Sequence, residues 1–281
     1  MADPPDADRH TGRAPALSPP TFEVRRWLDR DEIRAIEYSA YWNDEAVEQE
    51  KEGFWTLEGD FARMETCLTE KTTVARELED LLREVAPVGA GADLAAGTLW
   101  AVPQLVAHGA EIVYAVEYSE HRLLKLGPGV LAHYGVPPER VVLCLGSFYD
   151  LRLEDAALDF VLLAQALHHA DRPEALLHEA RRVLKPGGTL YVIGEHLVAE
   201  PPQERSLRRR LAESVPESLQ VRLFGRSLRQ PPTELPVDPV LGDHLYWRRD
   251  YDRMFASTGF SLRSEHVYPH TRAFLAAATS V

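Results

Sequence analysis

Two acids and a glycine mark the first place where this sequence can do chemistry. Asp93, Ala95 and Gly97 belong to the run Asp93-Leu94-Ala95-Ala96-Gly97-Thr98-Leu99, which follows a short β-rich stretch. Glu117 ends the next such stretch, twenty residues beyond Gly97. In an open parallel sheet a ligand binds beyond the carboxyl ends of the strands, and an acid closing the second strand can accept hydrogen bonds from both hydroxyls of a ribose. The pair therefore points to a nucleoside-type cofactor. A second concentration is of histidine: His168 and His169 after the fourth expected strand, His196 after the fifth, and His244 before the last helix. Imidazole titrates near neutral pH, so one of these is a candidate general base for an acceptor hydroxyl. His168, His196, Glu195 and His244 are also ligand types, but no ligand spacing fixes them, and no metal is expected.

These residues need a scaffold, and the chain alternates β-rich and helical runs in the manner of a parallel sheet covered on both faces. Strands are expected at 91–95, 111–117, 141–146, 158–164 and 189–194, with helices between them. Gln165 ends the fourth strand and is expected to face the cofactor or the acceptor. Lys185-Pro186-Gly187-Gly188 reads as a structural turn that ends a helix and enters the fifth strand. Near the end, a helix over RDYDRMFAST stops at Gly259, and FSLRSEHVY and HTRAFLAAAT read as two strands of an antiparallel hairpin.

The flanks differ from this middle. Residues 1–20 are rich in Pro, Asp and Ala and are read as a disordered tail. Residues 21–85 read as a helical cap: Ile33, Ile36, Ala40 and Tyr41 share one face, and Val74, Leu78, Leu81, Leu82 and Val85 recur at three-to-four spacing. Residues 86–197 form the cofactor-binding core, 198–245 a substrate-cap insert with PP, LP and DP punctuation, and 246–281 the helix and hairpin that complete the core.

In this order the sequence resembles the class I S-adenosylmethionine-dependent methyltransferases. Their first motif, Asp/Glu-x-Gly-x-Gly-x-Gly, maps onto Asp93 to Leu99, with Ala95 and Leu99 where glycine is usual; the second acid maps onto Glu117. LHHADRPEALLHEARRVLKPGGTLYVIGEH is similar to the family's passage from the fourth strand to the fifth. The resemblance implies an α/β fold, a Rossmann-like seven-stranded, mostly parallel sheet with a C-terminal antiparallel hairpin, and S-adenosyl-L-methionine as cofactor. It further implies a polar Ser147 and an apolar Phe148 against the adenine. His168 becomes the leading base, because the family's turn after the fourth strand faces the transferable methyl, and His196 the reserve. Tyr38, Tyr41, Trp42, His169, His244 and Tyr246 are expected to contact the acceptor. A cofactor-binding module without methyl transfer, prompted by Ala95 and Leu99, and a nicotinamide-dependent dehydrogenase are the competing readings.

Composition narrows the partner. The 281 residues carry a formal net charge of -13, which disfavours nucleic acid and anionic membrane surfaces, since phosphate contacts need clustered cations. The basic run at 205–214 reads as a solvated helix face. A small-molecule acceptor is expected, with a homodimer open. No run of 18 apolar residues occurs and the N-terminus lacks the order of a secretory signal, so the cytoplasm is the expected compartment. Cys67 and Cys144 form no CxxC pair, and neither a disulfide nor a thiolate site is expected.

Overall fold

Leucine- and valine-rich runs such as Val141–Leu145 and 160–164 have no polar face to offer water, so they become strands buried on both sides. The computed structural model describes residues 21–36, 60–198 and 243–279. Its strands are β1 (Glu23–Arg26), β2 (Gly89–Leu94), β3 (Ala110–Glu117), β4 (Val141–Leu145), β5 (Leu158–Ala164), β6 (Leu184–His196), β7 (Phe260–Val267) and β8 (Thr271–Ala278). They form one sheet in the order β1-β4-β3-β2-β5-β6-β8-β7. All neighbouring pairs are parallel except β6 with β8 and β7 with β8. Strand order reverses at β2, which places the loop after β2 at the switch point where such sheets bind ligands.

The sheet has eight strands rather than the expected seven. The extra one is β1, inside the segment read as wholly helical. Phe22 and Trp27 are buried while Val24 is 44% exposed, so no helical face exists here. The edge of β4 supplies the backbone partners instead: Val24 pairs with Leu143, and Trp27 N–H donates to Leu145 O at 2.8 Å. Helices follow at Arg30–Arg34, opened by an Asp29–Glu32 capping box, at Phe61–Thr66, continued by a π turn Cys67–Lys71, and at Val74–Glu84. The last buries Val74, Leu78, Leu81 and Leu82 as its periodicity predicts. Cys67 and Cys144 are buried free thiols.

Two glycines in β6 shape the site. The helix Pro173–Val183 runs directly into β6 at Leu184, which already pairs with Leu158. Lys185–Gly188 is therefore not a turn ahead of the strand but its first, bulged part, with Gly187 at φ +78. Gly194, at φ +72, lies in a second irregularity, where the β6–β8 register shifts between Val192 and Glu195. A Cβ there would lie 2.4 Å from Gln165 Cγ. The bulge re-aims the residues that follow it, Glu195 and His196.

Candidate active site

The loop after β2 keeps a glycine loop's backbone with a single glycine. Ala95 (φ 62), Gly97 (φ 54) and Leu99 (φ 67) alternate in the left-handed region, at a cost of roughly 1–2 kcal/mol for each L-residue. Leu99 turns its side chain away from the loop into the core, where it is fully buried. Room for it is made across the packing interface by Gly127, where a Cβ would lie 2.5 Å from Leu99 Cδ1. Ala96 N–H donates to Val116 O at 3.0 Å, tying the loop to β3.

Glu117 closes this loop electrostatically. Its Oε2 accepts from Gly97 N–H at 2.9 Å and its Oε1 from Ser119 N–H at 2.8 Å. Burial pushes its pKa up, opposed by the Arg122 charge and by these amides. An ionised carboxylate has about four lone-pair sites, so with the amides of Gly97, Ser119 and Tyr118 against it Glu117 keeps capacity to accept from a ribose. Asp93 is 1% exposed, and neither of its carboxyl oxygens has a hydrogen-bond partner among the described residues. Burial, reinforced by the Glu117 charge, pushes its pKa to about 8. A buried orphan acid wants a cationic donor, and the ammonium of an amino-acid-bearing nucleoside is one. Asp93 and Glu117 therefore fit S-adenosylmethionine.

The other expected cofactor residues stand around this pair. Ser147 and Phe148 follow β4; Ser147 Oγ accepts from Tyr149 N–H at 3.1 Å, and the Phe148 ring meets Tyr149 edge-on at 4.7 Å. Their turn is held beside Glu117, whose carbonyl accepts from Gly146 N–H at 3.0 Å. Gln165 adopts φ 52 and donates its N–H to Ile193 O at 2.8 Å.

All four histidines named from the sequence meet on the adjacent rim, beyond β5 and β6. The His168 ring lies 4.4 Å from that of His169 and 4.5 Å from that of His196. His168, 2% exposed, has Nδ1 at 3.2 Å from Oε1 of the fully buried Glu195, whose Oε2 accepts from Tyr251 Oη at 2.9 Å. Burial disfavours the His168 cation, but the charge and hydrogen bond of Glu195 outweigh it and the pKa rises; Glu195 is correspondingly lowered against its own burial. For His169 burial prevails and the pKa falls. Asp243 spans the group, with Oδ1 2.8 Å from His169 Nδ1 and Oδ2 3.5 Å from His196 Nε2. Its carboxyl is held well below the usual range, because these contacts and the His169 and His168 charges overcome its burial. His244 N–H donates to His168 O at 2.7 Å, and its ring stacks on Tyr246 at 6.0 Å.

Sequence reasoning missed Asp243 and Tyr251 and knew Glu195 only as a ligand type. A carboxylate 74 positions after His169 has no spacing to betray it. Tyr38, Tyr41 and Trp42 lie outside the described residues, as do residues 1–20, the basic run 205–214 and all but the ends of the 198–245 insert.

A family model described as a methyltransferase domain matches residues 92–192. This span takes in the cofactor loop, Glu117 and the passage into β6. The chain carries a class I methyltransferase domain. The demethylmenaquinone methyltransferase of Clavibacter sepedonicus is 37% identical over 112 residues, 39% of this chain and 43% of that protein. The matched part thus spans less than half the length of that curated relative. Among solved structures, the 1,6-didemethyltoxoflavin-N1-methyltransferase of Burkholderia thailandensis, with bound 1,6-didemethyltoxoflavin and S-adenosylhomocysteine, aligns at TM-score 0.56 and 14% identity, over 78% of this chain and 84% of that one. A SAM-dependent methyltransferase from Aquifex aeolicus aligns at TM-score 0.52 and 16% identity, over 79% and 100%. These likenesses establish the fold of the methyltransferase domain, with β1 as an added edge. Among the described residues no helix is long and apolar enough to cross a membrane.

Proposed function

We propose that this protein transfers the sulfonium methyl of S-adenosyl-L-methionine to an oxygen of a small apolar or aromatic molecule, in the cytoplasm. The observation that carries the reading is the loop Ala95–Leu99, which holds three left-handed residues against Glu117. Asp93 takes the cofactor's ammonium and Glu117 its ribose, while Ser147, Phe148 and Gln165 line the remaining sides. His168 and His196 handle the acceptor hydroxyl. The segment 198–245 and the part of 21–85 that follows β1 serve as the cap over the acceptor. The transfer is an in-line displacement, in which holding nucleophile and methyl at near-attack distance supplies much of the acceleration. The methyltransferase domain, the match to a demethylmenaquinone methyltransferase and the S-adenosylhomocysteine in a fold relative support the methyl-transfer part of this reading; the oxygen acceptor rests on the histidine rim alone.

Two measurements test it. S-adenosylhomocysteine is expected to raise the melting temperature, as a ligand of the native state must, and labelled methyl should pass from S-adenosylmethionine to a member of a phenol and hydroxyquinone panel. An unchanged melting curve at ~100-fold excess over a low-micromolar affinity would sink the cofactor assignment.

The Asp93 carboxyl makes a sharper demand. Its folded pKa of about 8 lies above the ordinary 3.8, so the empty protein holds it protonated at pH 7 and loses stability as pH rises from about 4 toward 8. An ammonium bound against it reverses that preference. Binding of S-adenosylhomocysteine at pH 7 should therefore release close to one proton, read by calorimetry in buffers of different ionisation enthalpy. Asp93→Asn should release none. Equal proton counts for the two proteins would detach Asp93 from the ammonium.

A further inference from the structure

We infer that His168, His169 and Asp243 form a binding site for one divalent transition-metal ion of the zinc class, on the acceptor side of the cofactor loop. One ligand atom from each of the three lies within 4.8 Å of the others. They come from two places distant in sequence, the turn after β5 and the segment before the helix Arg248–Ser257, and the His244 N–H to His168 O bond of 2.7 Å pins these segments together.

The donor set has the right chemistry. Two imidazoles and a carboxylate suit zinc and its first-row neighbours, and three protein ligands leave a coordination position open, as catalytic rather than structural sites do. With bonds of about 2.0–2.1 Å, tetrahedral ligands stand roughly 3.3 Å apart. The His169–Asp243 approach of 2.8 Å lies within about half an ångström of that spacing, and the 4.8 Å limit on the whole group leaves the third atom within reach of the same centre.

Asp243 Oδ1 gives independent support. It is buried and makes no hydrogen bond of normal geometry among the described residues, despite its nearness to His169 Nδ1. With His169 Nδ1 only 2.8 Å away, a cation held between the two would engage both atoms. Behind the site, Glu195 holds His168 Nδ1 and is itself held by Tyr251. A carboxylate on the far ring nitrogen is the usual support of a metal-bound imidazole, fixing its tautomer and raising its basicity. It leaves Nε2 of His168 as the ligand atom.

The inference rests on the methyl-transfer reading only for the use of the open position. There the acceptor's hydroxyl would bind the ion and give its proton to solvent. Its oxygen lone pair would then form the new C–O bond while the methyl C–S bond breaks and leaves its electron pair on sulfur. The products are the methyl ether, S-adenosylhomocysteine and one proton. His168 then acts as a ligand, not as the free base the sequence suggests.

The test uses the full chain after chelator treatment, titrated with Co²⁺ and then Zn²⁺. One equivalent of Co²⁺ should bind with the intense visible absorption of a four- or five-coordinate site, Zn²⁺ should displace it, and the melting temperature should rise. Asp243→Asn and His169→Ala should each weaken Co²⁺ binding by about 100-fold or more, since loss of an outer-shell partner alone costs 10–100-fold. S-adenosylhomocysteine should still raise the melting temperature of both variants. If His169→Ala does not fold, Asp243→Asn decides the matter, because it removes a charge without opening a cavity. Substoichiometric Co²⁺ binding to the parent, or parental affinity in Asp243→Asn, overturns the metal site. Stoichiometric binding with no response to S-adenosylhomocysteine upholds the metal site and overturns the cofactor reading instead.

Discussion

Glu117→Ala is expected to weaken S-adenosylhomocysteine binding by at least tenfold, and by about 100-fold when both ribose bonds are lost. The figure follows from about 1.5–3 kcal/mol for each hydrogen bond to a charged group and about 1.4 kcal/mol per decade of affinity. The structure adds a second route to the same loss. Glu117 also accepts from Gly97 N–H and Ser119 N–H, so alanine leaves both amides without their acceptor and frees the loop that shapes the site. The two causes separate in a double cycle with a deoxyribose analogue of the ligand. If Glu117 holds the ribose, the parent's preference for the diol should vanish in Glu117→Ala. A variant that binds more weakly yet keeps the full preference would make Glu117 a loop-positioning residue, and calorimetry showing equal affinities would remove it from the site altogether.

The largest effect on stability is expected at Glu77, a fully buried acid in the helix Val74–Glu84. Its Oε2 accepts from Gly194 N–H at 2.7 Å, and its Oε1 accepts from the hydroxyls of Thr73 at 2.6 Å and Thr271 at 2.5 Å. One side chain thus joins the N-terminal helix to β8 and to the bulge of β6. Glu77→Ala strands the Gly194 amide and at least one of the two hydroxyls, which lie 3.0 Å apart, at about 1–3 kcal/mol each, and should cost about 2–6 kcal/mol. At 2–4 °C per kcal/mol for a chain of this size, the melting temperature should fall on the order of 10 °C. Glu77→Gln should lose far less. Its amide oxygen can still accept from Gly194, and its NH₂ can donate to the two hydroxyls, which rotate to accept. If alanine and glutamine prove equally harmful, charge rather than hydrogen bonding is the cause. If alanine is tolerated, the network contributes little.

The place of the candidate cofactor loop in the fold was legible in the sequence because its logic is local. Asp93, Gly97 and Glu117 sit at the ends of two consecutive strands, where topology alone makes them neighbours. How the fold accommodates Leu99 where the motif usually has glycine was not legible. The space for Leu99 comes from Gly127, 28 residues later on another element, and no local pattern couples those positions. The histidines were visible as a set, yet their meaning was not, since Asp243, Glu195 and Tyr251 reach them from separate elements.

The sequence by itself determined the alternating α/β order, the hairpin that closes the sheet, the cofactor loop and its two acids, and the faces buried by the helices. All of these follow from periodicity and strand-end position within short windows. Tertiary structure alone decided the eighth strand, which exists because the β4 edge offers partners to Glu23–Arg26. It also decided the two bulges of β6, the Glu77 anchor and the carboxylates that gather four histidines on one rim. Each is a pairing between groups remote along the chain, whose energy is realised only when folding has excluded water from both partners.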